Sequence, residues 1–242
     1  MRTSDLVVRA AETAARWRHA RLLHPRGVPF TGEVVIWGPP GNPTGVPALD
    51  EPGRYPATVR LSRGTPTPPG WPDVLGLAVR LHGLPTGPFD LLVSSSAARP
   101  LLRHLPLPRR SFTGTYTTIV SYRAGGRRLL LGALPDPESG GLDVGSTAVA
   151  GPADAARPPG AVLAVAYPHG SWRPFGQVVV GAPLDCGTDA ALAFDPVRNL
   201  PPGLRATGLV QRARALTYRG SQRARRTGPG TVQSGGSTGA TV

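Results

Sequence analysis

Residues 55–96 read "YPATVRLSRGTPTPPGWPDVLGLAVRLHGLPTGPFDLLVSSS". Three apolar-rich runs, at 55–64, 73–83 and 89–96, are separated by clusters of Pro, Gly and Thr. Proline removes a backbone donor and fixes φ, so short runs between such clusters read as strands rather than as pieces of a helix. Positions two apart on a strand share a face, so Arg60 and Ser62 look into the same space. If that space is a barrel interior, Arg60 needs an anion, because an unpaired buried charge is costly. Gly76 interrupts the second run. It marks either a bulge or a place where something flat or bulky approaches the backbone.

The same punctuation continues in both directions. Strand-like runs stand at 28–38, 144–152, 161–170 and 173–184, and 116–134 reads as a hairpin turning on Gly125 and Gly126. Helical spacing marks 3–22 and 208–226, and 97–105 reads as a short helix. From Thr227 the chain is rich in Gly, Ser and Thr, the composition of a disordered tail. The expectation is one domain over 1–226 and a tail over 227–242. Its class is α+β and mainly antiparallel β: a barrel or sandwich of about eight strands with a helix at each end.

Composition bounds the function. The 242 residues are 40% hydrophobic and 17% charged, a globular balance, with 32 Gly and 29 Pro. The net charge is +13, and no cation is a lysine. Such charge favours anionic partners: nucleic acid, phospholipid or an acidic cofactor. Aromatic content of only 6% and the absence of a known nucleic-acid motif argue against the first. One cysteine, Cys186, excludes an internal disulfide or a zinc cluster. No apolar run reaches the roughly 18 residues of a membrane span, and the N-terminus lacks a secretory apolar region, so a cytoplasmic protein is expected. The five histidines are scattered, with no H-x-H or D-x-D pair, which argues against a metal-dependent phosphoesterase.

Two further stretches carry chemistry. In "RLLHPRG" Arg21 and His24 are three apart, on one side if that turn is helical. In "RARALTYRGSQRARR", residues 212–226, Arg214 and Tyr218 are helix neighbours at i and i+4, and Arg225 follows on the same face. A guanidinium beside a phenol favours the phenolate, a hard anionic ligand of the kind that binds haem iron.

In order, the chain carries R-x-x-H-x-x-G, V-R-x-S, D-x-x-G-x-A-V-R, F-D-L, F-D-P with P-G-L, and R-x-x-x-Y-x-x-x-x-R-x-R. This succession, from Arg21 to Arg225, resembles the haem catalases and their relatives, including short catalase-related peroxidases and allene oxide synthases. The resemblance implies a catalase-type barrel core and haem b as cofactor. It implies that His24 is the distal histidine, that Ser62 orients it, and that Gly76 lies on the strand packed against the haem. Tyr218 becomes the axial iron ligand with Arg214 as its charge partner, and Arg21, Arg60 and Arg225 hold propionates. Catalases place an asparagine after their W-D-L segment, where this chain has Ser94, a shorter and rotating donor. The chain is also far shorter than a full catalase. The implied activity is a haem-dependent oxidoreductase acting on hydrogen peroxide or an organic hydroperoxide with a small reducing substrate, more peroxidase than catalase. The alternative is a degenerate catalase-fold protein that binds haem without turnover. The missing arm argues against an interlocked tetramer and leaves a homodimer open.

Overall fold

A computed structural model describes residues 26–64, 67–68, 70–139, 141–142 and 158–207. Along these residues run β1 (Arg26–Ile36), α1 (Pro47–Asp50), β2 (Gly53–Arg63), β3 (Leu75–Leu81), β4 (Phe89–Ser95), β5 (Tyr116–Thr117), β6 (Tyr122–Ala124), β7 (Arg127–Pro135), β8 (Gly160–Ala166), β9 (Arg173–Pro183), α2 (Cys186–Ala191) and β10 (Leu204–Ala206). The end helices read at 3–22 and 208–226, the strand read at 144–152 and the tail lie outside the described residues.

The sheet order is β10-β6-β7-β5-β4-β3-β2-β1-β9-β8, and β7 also pairs with β8. That last pairing closes eight antiparallel strands, β1 to β5 and β7 to β9, into a barrel and leaves β6 and β10 as an annex on β7. Closure removes the unpaired edges that an open sheet of this size would expose. Alternation fills the interior: Ala57, Val59 and Leu61 from β2, Leu75, Leu77, Val79 and Leu81 from β3, Phe89, Leu91 and Val93 from β4, and Leu129, Leu131 and Ala133 from β7 are all buried in one cluster.

The glycine hairpin forms as its sequence predicts. Gly125 and Gly126 take φ of 53° and 82°, and Ala124 pairs with Arg127 across a two-residue turn that demands left-handed backbone at both positions. The short helix expected at 97–105 does not form. Arg99 O accepts from both Leu102 N and Arg103 N, at 3.0 Å each, and the segment stays a set of turns between the bridge partners Ser96 and Pro106. What holds it is a side chain: Arg103 is buried, donates to the carbonyls of Tyr167 (3.4 Å) and Gly170 (3.1 Å), and lies over the Trp172 ring at 4.7 Å. Burial lowers the Arg103 pKa from its ordinary value.

Candidate functional site

Because Ala57, Val59 and Leu61 fill the barrel, Thr58, Arg60 and Ser62 face outward. This corrects the interior placement of Arg60: the space it shares with Ser62 is the outer face of the barrel wall. Strand register assembles a site there. Gly27 pairs with Ser62, Ser62 with Gly76, and Gly76 with Ser94. Residues directly opposite on neighbouring strands point to the same side. Gly27, Ser62, Gly76 and Ser94 therefore form one transverse row, with no side chain larger than a hydroxymethyl group. One step along, Arg60 pairs with Pro29 and Ala78, and Ala78 with Leu92. The result is a flat strip with an arginine on one border.

Arg60 is nearly buried and its guanidinium lies on Gly27, where an added Cβ would come within 2.5 Å of Arg60 Cζ. The sequence needs glycine at that point for this reason. The fork faces Asp189 on α2: Arg60 Nε donates to Asp189 Oδ1 at 2.5 Å and Nη2 to Oδ2 at 3.4 Å. The need for an anion is met within the chain, 129 residues away. Ser62 is buried and donates its hydroxyl proton to Gly76 O at 3.3 Å. Its oxygen keeps lone pairs that can accept a further hydrogen bond. Ser94 is half-buried, and its hydroxyl makes no hydrogen bond among the described residues.

The row continues past Ser94 to Thr117, which donates to Arg103 O at 2.5 Å. The turns of 97–105 thus lie beside Ser94, and they carry Leu101, Leu102 and Leu105 with 80%, 45% and 52% of their surface exposed. The segment that Thr117 joins to the row thus presents three exposed leucines.

A second ion pair anchors residues 193–199 to the barrel. Arg80 and Asp90 face each other across β3 and β4. Arg80 Nε and Nη2 reach the two Asp90 oxygens at 2.6 and 2.7 Å, while Asp195 N and Asn199 Nδ2 donate to Oδ2 at 2.7 and 2.8 Å. Arg80 Nη2 also donates to Ala193 O at 2.6 Å, and Asp90 N donates to Asn199 O at 2.9 Å. The hydrogen bond to Asp90 raises the Arg80 pKa above its ordinary value. This knot ties residues 193–199 to the barrel just ahead of the segment that bears Arg214 and Tyr218. The F-D-L and F-D-P motifs are its signature, supplying Asp90 and Asp195.

Of the nine residues singled out from sequence, the structure brings together Arg60, Ser62, Gly76 and Ser94. Arg21, His24, Arg214, Tyr218 and Arg225 lie outside the described residues. Among the described residues no three His, Cys, Asp or Glu side chains cluster as metal ligands. No helix among them is long and apolar enough to cross a membrane.

Against known proteins, the barrel has parallels in solved structures. One is a bacterial catalase, at TM-score 0.51 and 14% identity over 91% of this chain and 61% of that one. Another is a fungal catalase, at TM-score 0.55 and 13% identity over 93% of this chain and 64% of that one. The fold is catalase-like. At such identity the likeness is one of fold, and the chain spans little more than three fifths of the catalases it matches. No family description matches the sequence. No curated protein matches it either.

Proposed function

We propose that this chain is a haem-dependent oxidoreductase on a catalase-like barrel, acting on hydrogen peroxide or an organic hydroperoxide in a peroxidase manner. The observation that supports it most is the row Gly27–Ser62–Gly76–Ser94 with Arg60 at its border. Small side chains in a flat strip suit the face of a porphyrin, and a buried arginine suits a propionate, so the described wall fits the group. Haem, when bound, supplies the iron at which a peroxide O–O bond is cleaved.

The chain's own residues have separable tasks in this reading. Ser62, its proton committed to Gly76 O, accepts an N–H from His24 and so fixes the imidazole tautomer. The other imidazole nitrogen is then bare and takes the peroxide proton as general base. Arg214 holds Tyr218 as phenolate for the iron. Arg60 already faces Asp189, so a propionate there shares the guanidinium with that carboxylate or displaces it. The exposed Leu101, Leu102 and Leu105 favour an organic hydroperoxide, whose apolar body they would cover.

A second reading rests on Ser94. A short hydroxyl in the place of an amide gives peroxide a weaker second hydrogen bond, and the site then binds haem without turnover. Haem-loaded protein assayed with cumene hydroperoxide and a reducing dye separates the two. The enzyme reading expects turnover that falls at least tenfold in His24→Ala; haem bound with no turnover, and no change in His24→Ala, leaves only the carrier.

A further inference from the structure

The annex sheet carries a feature that the haem reading does not use. Arg205 on β10 pairs with Arg123 on β6, and Arg123 pairs with Arg128 on β7. Three arginines therefore stand abreast across three strands. Their strand neighbours Tyr122, Ala124, Leu129, Leu204 and Ala206 are buried, so alternation turns the arginines outward, and all three are exposed. β6, β7 and β10 contain no Asp or Glu, and none of the three arginines has an ion pair among the described residues. Like charges directly opposite on a sheet repel, so an isolated protein gains nothing from this arrangement.

We propose that this arginine row is a docking surface for the phosphate backbone of duplex nucleic acid, bound without sequence preference. Neighbouring cross-strand positions are about 5 Å apart, giving a line of three cations. A duplex strand offers a line of phosphates with one charge per ~3.4 Å of axis, within reach of flexible arginine side chains. The outward positions of β6 and β10 hold only arginine, with no aromatic residue for stacking single-stranded bases and no apolar residue to enter a lipid surface. Arg127, next to the row, is stacked on the Tyr167 ring at 3.9 Å and does not belong to it. None of these three arginines belongs to the Ser62 row, so the surface stands or falls independently of the haem reading.

The test uses the full chain and a short mixed-sequence duplex DNA, with binding measured across a salt series. A triple variant, Arg123→Gln, Arg128→Gln and Arg205→Gln, removes the row. A control, Arg54→Gln, Arg99→Gln and Arg110→Gln, removes the same charge from exposed positions elsewhere. The expected result is a log–log salt slope that falls by about 2.7 in the row variant, at ~0.9 for each lost phosphate contact, and that the control leaves unchanged. Equal losses in both variants would mean net charge alone and would overturn the proposal. So would undiminished binding by the row variant, or wild-type binding to phosphatidylcholine–phosphatidylserine vesicles but not to DNA.

Discussion

The two arginine–aspartate pairs on the outer wall are built differently. Asp90 is fully buried and receives four hydrogen bonds, from Arg80, Asp195 and Asn199, so its charge is satisfied from every side. The Arg60–Asp189 pair lies beside the Ser62 row and is joined by one short contact and one long one. Asp90, held from several elements with no exposed surface, acts as a rivet, whereas Asp189 keeps 14% of its side-chain surface exposed beside the Ser62 row. The difference separates a pair that serves the fold from one that the proposed haem site would use.

The strongest way to break the comparison is Asp90→Ala. It leaves Arg80 without its anion and frees residues 193–199, and it should cost about 3–5 kcal/mol in chemical denaturation. Neutral thermal or denaturant stability within error of wild type would remove the rivet from the account.

Alkaline pH sharpens it from another side. Hydrogen bonding to Asp90 raises the Arg80 pKa, so raising the pH does not open that pair. Tyr122 is the group that responds: burial pushes its phenol up to about 12. Its ordinary value is about 10. The folded state thus holds the proton more tightly than the unfolded one. That contribution, about 2–3 kcal/mol, is complete below pH ~10 and is lost as the pH rises through 10 toward 12. Tyr122→Phe should therefore flatten the fall in thermal midpoint at high pH; an unchanged fall would place the alkaline sensitivity elsewhere.

Asp189→Asn should be milder than Asp90→Ala, about 1–2 kcal/mol, because the amide still accepts from Arg60. It should also strengthen haem binding, since a competing charge is gone. Weaker haem binding in this variant would show Asp189 supporting the arginine rather than competing for it. The smallest effect on stability is expected for Ser62→Ala, about 1 kcal/mol for the lost bond to Gly76 O. Its effect on turnover should be far larger, about tenfold or more in kcat, with a shifted acid limb of the pH–rate profile. A loss of stability with no kinetic change would reduce Ser62 to a strand residue.

Much of the barrel was legible because Gly and Pro clusters bound each strand and alternation marks one buried face. Alternation shows that Arg60 and Ser62 share a face without saying which. Here both faces of β2 are buried from Val59 to Ser62, so the sequence contrast between inside and outside is lost. The partner of Arg60 was not legible at all, because Asp189 reaches it only through the packing of α2 against the barrel. The 97–105 segment has helical composition, but the burial of Arg103 among carbonyls outweighs it. The Arg205–Arg123–Arg128 row needs the register of three strands before it exists. The row of Gly27, Ser62, Gly76 and Ser94 is the reverse case: four residues from four separate motifs, aligned by register alone.

Titration of the purified protein with haem, followed by its absorption spectrum, tests the site most directly. The expected result is saturable binding with a sharp Soret band of a phenolate-ligated iron, which Tyr218→Phe abolishes or shifts and Gly76→Leu weakens. A chain that takes up no haem, or one whose spectrum is the same in wild type and both variants, would contradict a haem site on the outer face of this barrel.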